Sequence, residues 1–175
     1  MNIVTNALIF QMGWWTCIVG VAMNHEIPAL LFCCALVWIH LYCSAIRTTE
    51  IKLAFSAWIL GVVIDTAFQY ASVIKFYGWA LGEFSPFWLW MLWILFALTL
   101  NSSLSILTKS PLIFSALLGL ILGPLTYIAG AKLGAAAFDN TLKHIAILGV
   151  TCMLVMPALV RMAQLFSIET DRGLP

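Results

Sequence analysis

Polar residues are so sparse along the chain that they punctuate it. Six apolar runs stand between short polar breaks, at about 3–22, 27–46, 51–74, 86–107, 111–133 and 143–165. Each has close to the roughly 20 residues needed to cross a hydrocarbon core of about 30 Å. The runs are continuous rather than alternating, and far too long for tilted barrel strands. A backbone in lipid must satisfy its hydrogen bonds within its own segment, so the runs are predicted as helices. Pro28, Pro86 and Pro111 fall at run starts, where a missing N–H costs nothing. Pro124 and Pro157 fall inside runs and are expected to kink them. The longest breaks, 75–85 and 134–142, read as loops too short to hold a soluble domain. The expectation is an all-α fold: one transmembrane domain over residues 1–175, a polytopic helix bundle of six spans.

Composition moves the same picture into lipid. Only 9% of residues are charged and 63% are hydrophobic. A water-soluble domain has about a quarter of its residues charged, so the low-dielectric phase here is the bilayer. A net charge of +1 leaves no basic patch for nucleic acid. Lys and Arg in the breaks set direction. With both termini cytoplasmic, Arg47, Lys52, Lys109, Arg161 and Arg172 lie inside, and Lys75, Lys132 and Lys143 outside. No basic residue precedes the first run, so that run is expected to be a retained span rather than a signal. The five cysteines all fall in apolar runs without a C-x-x-C pair, which suits packing rather than a disulfide framework.

The polar residues inside the runs carry the candidate chemistry. Asp65 lies deep in the third run, where a carboxylate must be paired, neutral, or facing protein or water. Gly61, Asp65, Gln69 and Ser72 share one helix face, with Phe68 beside them. At the rise of an α-helix, Asp65 lies about 21 Å from the inner edge, Tyr127 about 24 Å and Lys132 about 31 Å. An Asp65–Lys132 pair would have to bridge about 10 Å of depth. Lys132 is therefore expected to snorkel outward, leaving Tyr127, or a water held with Gln69, as the Asp65 partner. The stretch 86–93 carries Trp88, Trp90 and Trp93 and suits either an interfacial belt or an aromatic wall over a pocket. The candidate ligand-binding set is Asp65, Gln69, Tyr127, Trp90 and Trp93. Asn6, Gln11, His40, Asn101 and Ser102 form a second polar group in the inner half. Of these, Gln11, His40 and Asn101 fall at nearly one depth and are the candidate inner cluster. His40 suits a satisfied core histidine or a proton relay. Gly119 with Gly123, and Gly130 with Gly134, are G-x-x-x-G pairs that let helix backbones approach.

Standard catalytic motifs are missing. No H-x-x-x-H, H-E-x-x-H, G-x-S-x-G or phosphate-binding loop occurs. Glu83 and Asp139 fall in the breaks, and no two carboxylates are expected on one span. No metal site and no cofactor are expected, and no residue is assigned as catalytic.

Three stretches carry a resemblance. They are 86–93, Asn101 to Leu104, and 123–135, which contains Gly-Pro-x-x-Tyr-x-x-Gly-x-x-Leu-Gly-Ala. With Asn6, Gln11 and Asp65, they resemble a family of small bacterial inner-membrane proteins of unknown function. The resemblance implies a helical bundle in a bacterial inner membrane. It also implies a lipid-linked role, because members are often encoded near fatty-acid-modifying methyltransferases and oxidoreductases.

Three functions remain in view. The first is binding or transport of a small amphipathic molecule or lipid; the chain is similar in size to the substrate-binding membrane subunits of vitamin-uptake transporters. The second is an accessory or catalytic subunit in membrane-lipid modification. The third is a structural membrane-protein partner with no ligand.

Overall fold

The computed structural model describes residues 2–139 and 141–172, with side chains up to residue 168. The Arg172 side chain, counted in the orientation argument, lies outside the described residues. Among the described residues, seven helices and two short strands follow one another. They are α1 (Ile3–Ala22), α2 (Glu26–Cys43), α3 (Arg47–Tyr70), β1 (Ile74–Phe76), α4 (Phe87–Leu100), α5 (Ser105–Lys109), α6 (Leu112–Lys132), β2 (Ala136–Phe138) and α7 (Leu142–Arg172).

α1, α2, α3, α6 and α7 are long and apolar enough to cross a membrane. Leu31, Phe55, Val63, Ile113 and Leu154 are each more than half exposed on their outer faces. A folded protein in water rarely shows so much contiguous apolar surface; facing acyl chains, that surface is at no disadvantage.

α4 differs from the other long helices. It has 14 residues, and none of them is exposed. It packs against α3 on one side and α1 and α2 on the other. A helix apolar all round is a central one, and the Trp residues of α4 are therefore not an interfacial belt. The expected 86–107 span is interrupted: α4 ends at Leu100, a turn covers 101–104, and α5 follows. Wrapped by neighbours, this segment can carry non-helical backbone without exposing it to lipid.

Other boundaries also move. α3 begins at Arg47 rather than at residue 51, because Arg47 folds back to cap α2. Its Nε donates to the Leu41 carbonyl (2.7 Å) and its Nη2 to that of Tyr42 (3.1 Å). A cation placed at the last carbonyls of a helix satisfies them and opposes the helix dipole. Glu50 consequently sits inside α3, and Glu50 and Asp65 share one helix, against expectation.

The two long breaks are not plain loops. β1 and β2 pair antiparallel, with Ile74 opposite Phe138 and Phe76 opposite Ala136. Ile74 and Phe76 point inward and Lys75 outward, the alternation expected of a strand with one buried face. Glu26, at the start of α2, reaches this end of the bundle and accepts from the Trp79 backbone N–H (2.7 Å). The carboxylate lies so close to Gly78 that a Cβ there would meet Glu26 Oε2 at 2.8 Å, and Gly78 has φ +109°. Both facts select glycine.

The G-x-x-x-G stripe does pack helices. Gly119 and Gly123 lie against Cys152 of α7, and Gly130 faces Ile18 of α1. Cys17, Cys33 and Cys152 are buried free thiols, and Cys34 and Cys43 are exposed free thiols.

Candidate functional site

Asp65 is fully buried between α3, α4 and α6. The Tyr127 hydroxyl donates to Oδ1 (2.6 Å) and Trp93 Nε1 donates to Oδ2 (2.7 Å). Gly61, one turn before Asp65, makes the second bond reachable. A Cβ at Gly61 would overlap the Trp93 ring, so the indole lies on the bare α3 backbone. The Tyr127 ring is wedged between Phe68 (5.8 Å, edge-on) and Phe76 (6.0 Å). Lys132 is exposed and makes no ion pair with Asp65. Gln69 is half-buried, with no side-chain hydrogen bond among the described residues. Ser72 lies beyond the end of α3 and is exposed, off the expected stripe.

A second network ties α1, α2, α3 and the turn after α4 together at the opposite end. Asn6 Oδ1 accepts from the Ser103 backbone N–H (3.1 Å) and hydroxyl (2.5 Å). Asn6 Nδ2 donates to the Leu98 carbonyl (3.2 Å) and lies 3.2 Å from His40 Nδ1. A backbone N–H can only donate and a carbonyl can only accept, so these two groups fix the amide orientation. Asn6 Nδ2 must therefore donate to His40, whose Nδ1 is the acceptor, and the ring proton sits on Nε2. His40 Nε2 faces Glu50 Oε2 at 3.0 Å, with both side chains buried. The two atoms are close but out of line for a good hydrogen bond.

Between these networks runs a cleft of about 550 Å³, within the range of about 300–1,000 Å³ seen for small-molecule sites. One wall is α1, from Ile3 through Phe10 and Trp14 to Ile18, about 22 Å of helix. α4 forms the back, and Leu118, Leu122 and Thr126 of α6 form the facing wall. Ile3, Ala7 and Gln11 on α1 and Leu118, Leu122 and Thr126 on α6 are exposed, so the cleft opens sideways between these helices. Phe76, Trp88 and Ala136 close the end under the β-ribbon. Ser103, Leu104 and Leu107 line the other end.

The sequence-selected residues divide into three groups. Trp93 and Tyr127 line the cleft, and Asp65 stands behind them as the carboxylate that positions both. Gln69 and Trp90 do not line it; Trp90 donates to Ser85 Oγ (3.0 Å) and packs on Trp58. Of the inner group, Gln11 lies on the cleft rim and His40 in the buried network. Asn101 joins neither, and its Nδ2 is buried without a partner among the described residues. Sequence reasoning missed Ser103 and Glu50. Glu50 was detectable, since 50, 54, 57, 61, 65 and 68 recur at the three- and four-residue spacing of one helix face, and in α3 all six are buried.

A bundle of long lipid-facing helices around a shorter central one defines a multi-pass membrane protein with an internal cleft open to its side. The chain belongs to the family DUF2878, described as a protein of unknown function, whose model matches residues 3–158. Among curated proteins and solved structures, none matches the chain.

Proposed function

We propose that this protein binds, or passes along, a lipid-like amphipathic molecule held in the cleft between α1 and α6. The observation that carries the reading is the sideways opening of an apolar, elongated cavity on a lipid-facing surface. A chain already dissolved in the bilayer could enter between the helices without crossing water. The Asp65 hub supports the same reading, because it fixes the Trp93 and Tyr127 rings at the cleft wall. In this proposal the chain sits in a bacterial inner membrane and crosses it six times. α4 with its flanking turns makes the central crossing, and both termini face the cytoplasm.

The test is mass spectrometry of protein purified in mild detergent. Wild-type protein is expected to retain a defined lipid-like molecule, and Leu122→Trp, which fills the mouth from the rim, is expected to lose it while staying folded. No retained molecule, or equal retention by both proteins, overturns the proposal. A structural role without ligand is the second reading. It is favoured by the pairing of both Asp65 oxygens inside the bundle, and it calls for no retained molecule in either protein.

A further inference from the structure

Six of the hydroxyl and indole donors of the cleft wall are already engaged. The hydroxyl protons of Thr99 and Thr126 go to the carbonyls of Phe96 (2.6 Å) and Gly123 (2.7 Å) on their own helices. That of Ser103 goes to Asn6 Oδ1 (2.5 Å), and that of Tyr127 to Asp65 (2.6 Å). The indole N–H of Trp88 is bound to the Tyr77 carbonyl (2.8 Å) and that of Trp93 to Asp65. A hydroxyl has one proton and two lone pairs, so while these bonds hold, Thr99, Ser103, Thr126 and Tyr127 offer a ligand lone pairs rather than protons. The remaining N–H donors of the wall, Gln11 and Trp14, both lie on α1 at its open side, and Cys152 of α7 adds a weakly donating thiol. No charged side chain lines the cleft among the described residues.

Such a wall discriminates by head group. At the Ser103 end an anion would meet hydroxyl lone pairs and apolar carbon, with N–H donors only from Gln11 and Trp14 on the α1 rim. A cation would lose its hydration with no carboxylate in reach, since Asp65 is covered by Trp93 and Tyr127, and the aromatic faces of the wall return only part of that cost. Moving an unpaired charge into such surroundings is heavily penalised. An uncharged head that donates a hydrogen bond fits the hydroxyl oxygens. The apolar closure at Phe76, Trp88 and Ala136 suits the tail end, and Ser103 marks the end for the head.

We infer that the cleft selects a single-chain lipid with an uncharged, hydrogen-donating head, such as a long-chain alcohol, over a lipid of equal chain length with a charged head. This rests on the proposed ligand-binding role of the same cleft. The test uses the wild-type protein in nanodiscs with hexadecanol, hexadecyl sulfonate and hexadecyltrimethylammonium, each also as a chain-brominated probe. Bromine in the cleft quenches Trp14, Trp88 and Trp93. The expected result is saturable quenching by brominated hexadecanol, displaced by plain hexadecanol at concentrations at least about tenfold lower than by either charged competitor. Equal displacement by all three, or preference for a charged one, overturns the head-group inference and leaves the ligand site standing. Absence of saturable quenching with every brominated probe overturns both.

Discussion

Removing the Asp65 carboxylate strands two buried donors at once. Asp65→Ala leaves Tyr127 and Trp93 without acceptors, at a cost of about 1–3 kcal/mol for each unsatisfied group. Tyr127→Phe strands one acceptor instead and is expected to cost about 1–3 kcal/mol. Thermal unfolding followed by Trp fluorescence checks both, and Asp65→Ala should show the larger drop. If Asp65 only contacted ligand, neither change would alter the stability of ligand-free protein. The His40–Glu50 pair supplies a second residue-scale prediction. His40→Ala leaves the Glu50 carboxylate without its facing N–H and one Asn6 Nδ2 proton without an acceptor, at about 1–3 kcal/mol for each unsatisfied group. The double change His40→Leu with Glu50→Leu removes both partners and should be less damaging than His40→Ala alone. A double variant worse than the single one would contradict the pairing. At this scale the sequence was partly legible. Depth arithmetic pointed to Tyr127 and away from Lys132. It could not reveal Trp93 as the second donor, because a tryptophan on an apolar helix looks the same whether its N–H meets lipid headgroups or a carboxylate.

At the scale of elements, the bundle depends on bare backbone at a few crossings. Gly61→Ala would drive a methyl group into the Trp93 ring and push α3 from α4. It should destabilise by about 1–3 kcal/mol, as overpacking does, and should loosen Trp93 from Asp65. Gly82 has φ +59°, and a Cβ there would stand in open space, with nothing within 4 Å. Gly82→Asn is therefore expected to be nearly neutral, since Asn tolerates this left-handed conformation. Comparing the two melting temperatures tests whether packing or composition decides. Long helices were legible because apolar length is an unambiguous signal in lipid. The ribbon was not. Ile74-Lys75-Phe76 alternates over only three residues, and its partner Ala136-Ala137-Phe138 has no strand signature at all. The tryptophans of α4 left a belt and a pocket wall both open, although uniform hydrophobicity around a short helix is itself the mark of a central position. Glu50 was assigned to a break because three polar residues precede it, and only the cap made by Arg47 shows why the helix starts early.

For the whole molecule, the Asn6 network and the β-ribbon define opposite ends, and the connections alternate between them. Asn6, His40, Glu50 and Ser103 meet at one end, while Glu26, Trp79 and the β-ribbon meet at the other. The six crossings proposed above would place both termini on one side, so terminal tags should be protected or cleaved together in sealed vesicles. Opposite behaviour of the tags would refute that count. The cleft itself was illegible in the sequence, because it is a gap between α1 and α6, and periodicity describes faces rather than the spaces between them. The central claim is that this gap holds a lipid-like molecule. A diazirine-bearing long-chain alcohol, photo-crosslinked to the protein in membranes and mapped by peptide mass spectrometry, tests it most directly. The account predicts labels on Phe10, Trp14, Leu122 and Thr126 that unlabelled alcohol suppresses, while labels at lipid-facing Leu31 and Phe55 persist. Uniform labelling that the competitor reduces equally at all these positions would contradict it.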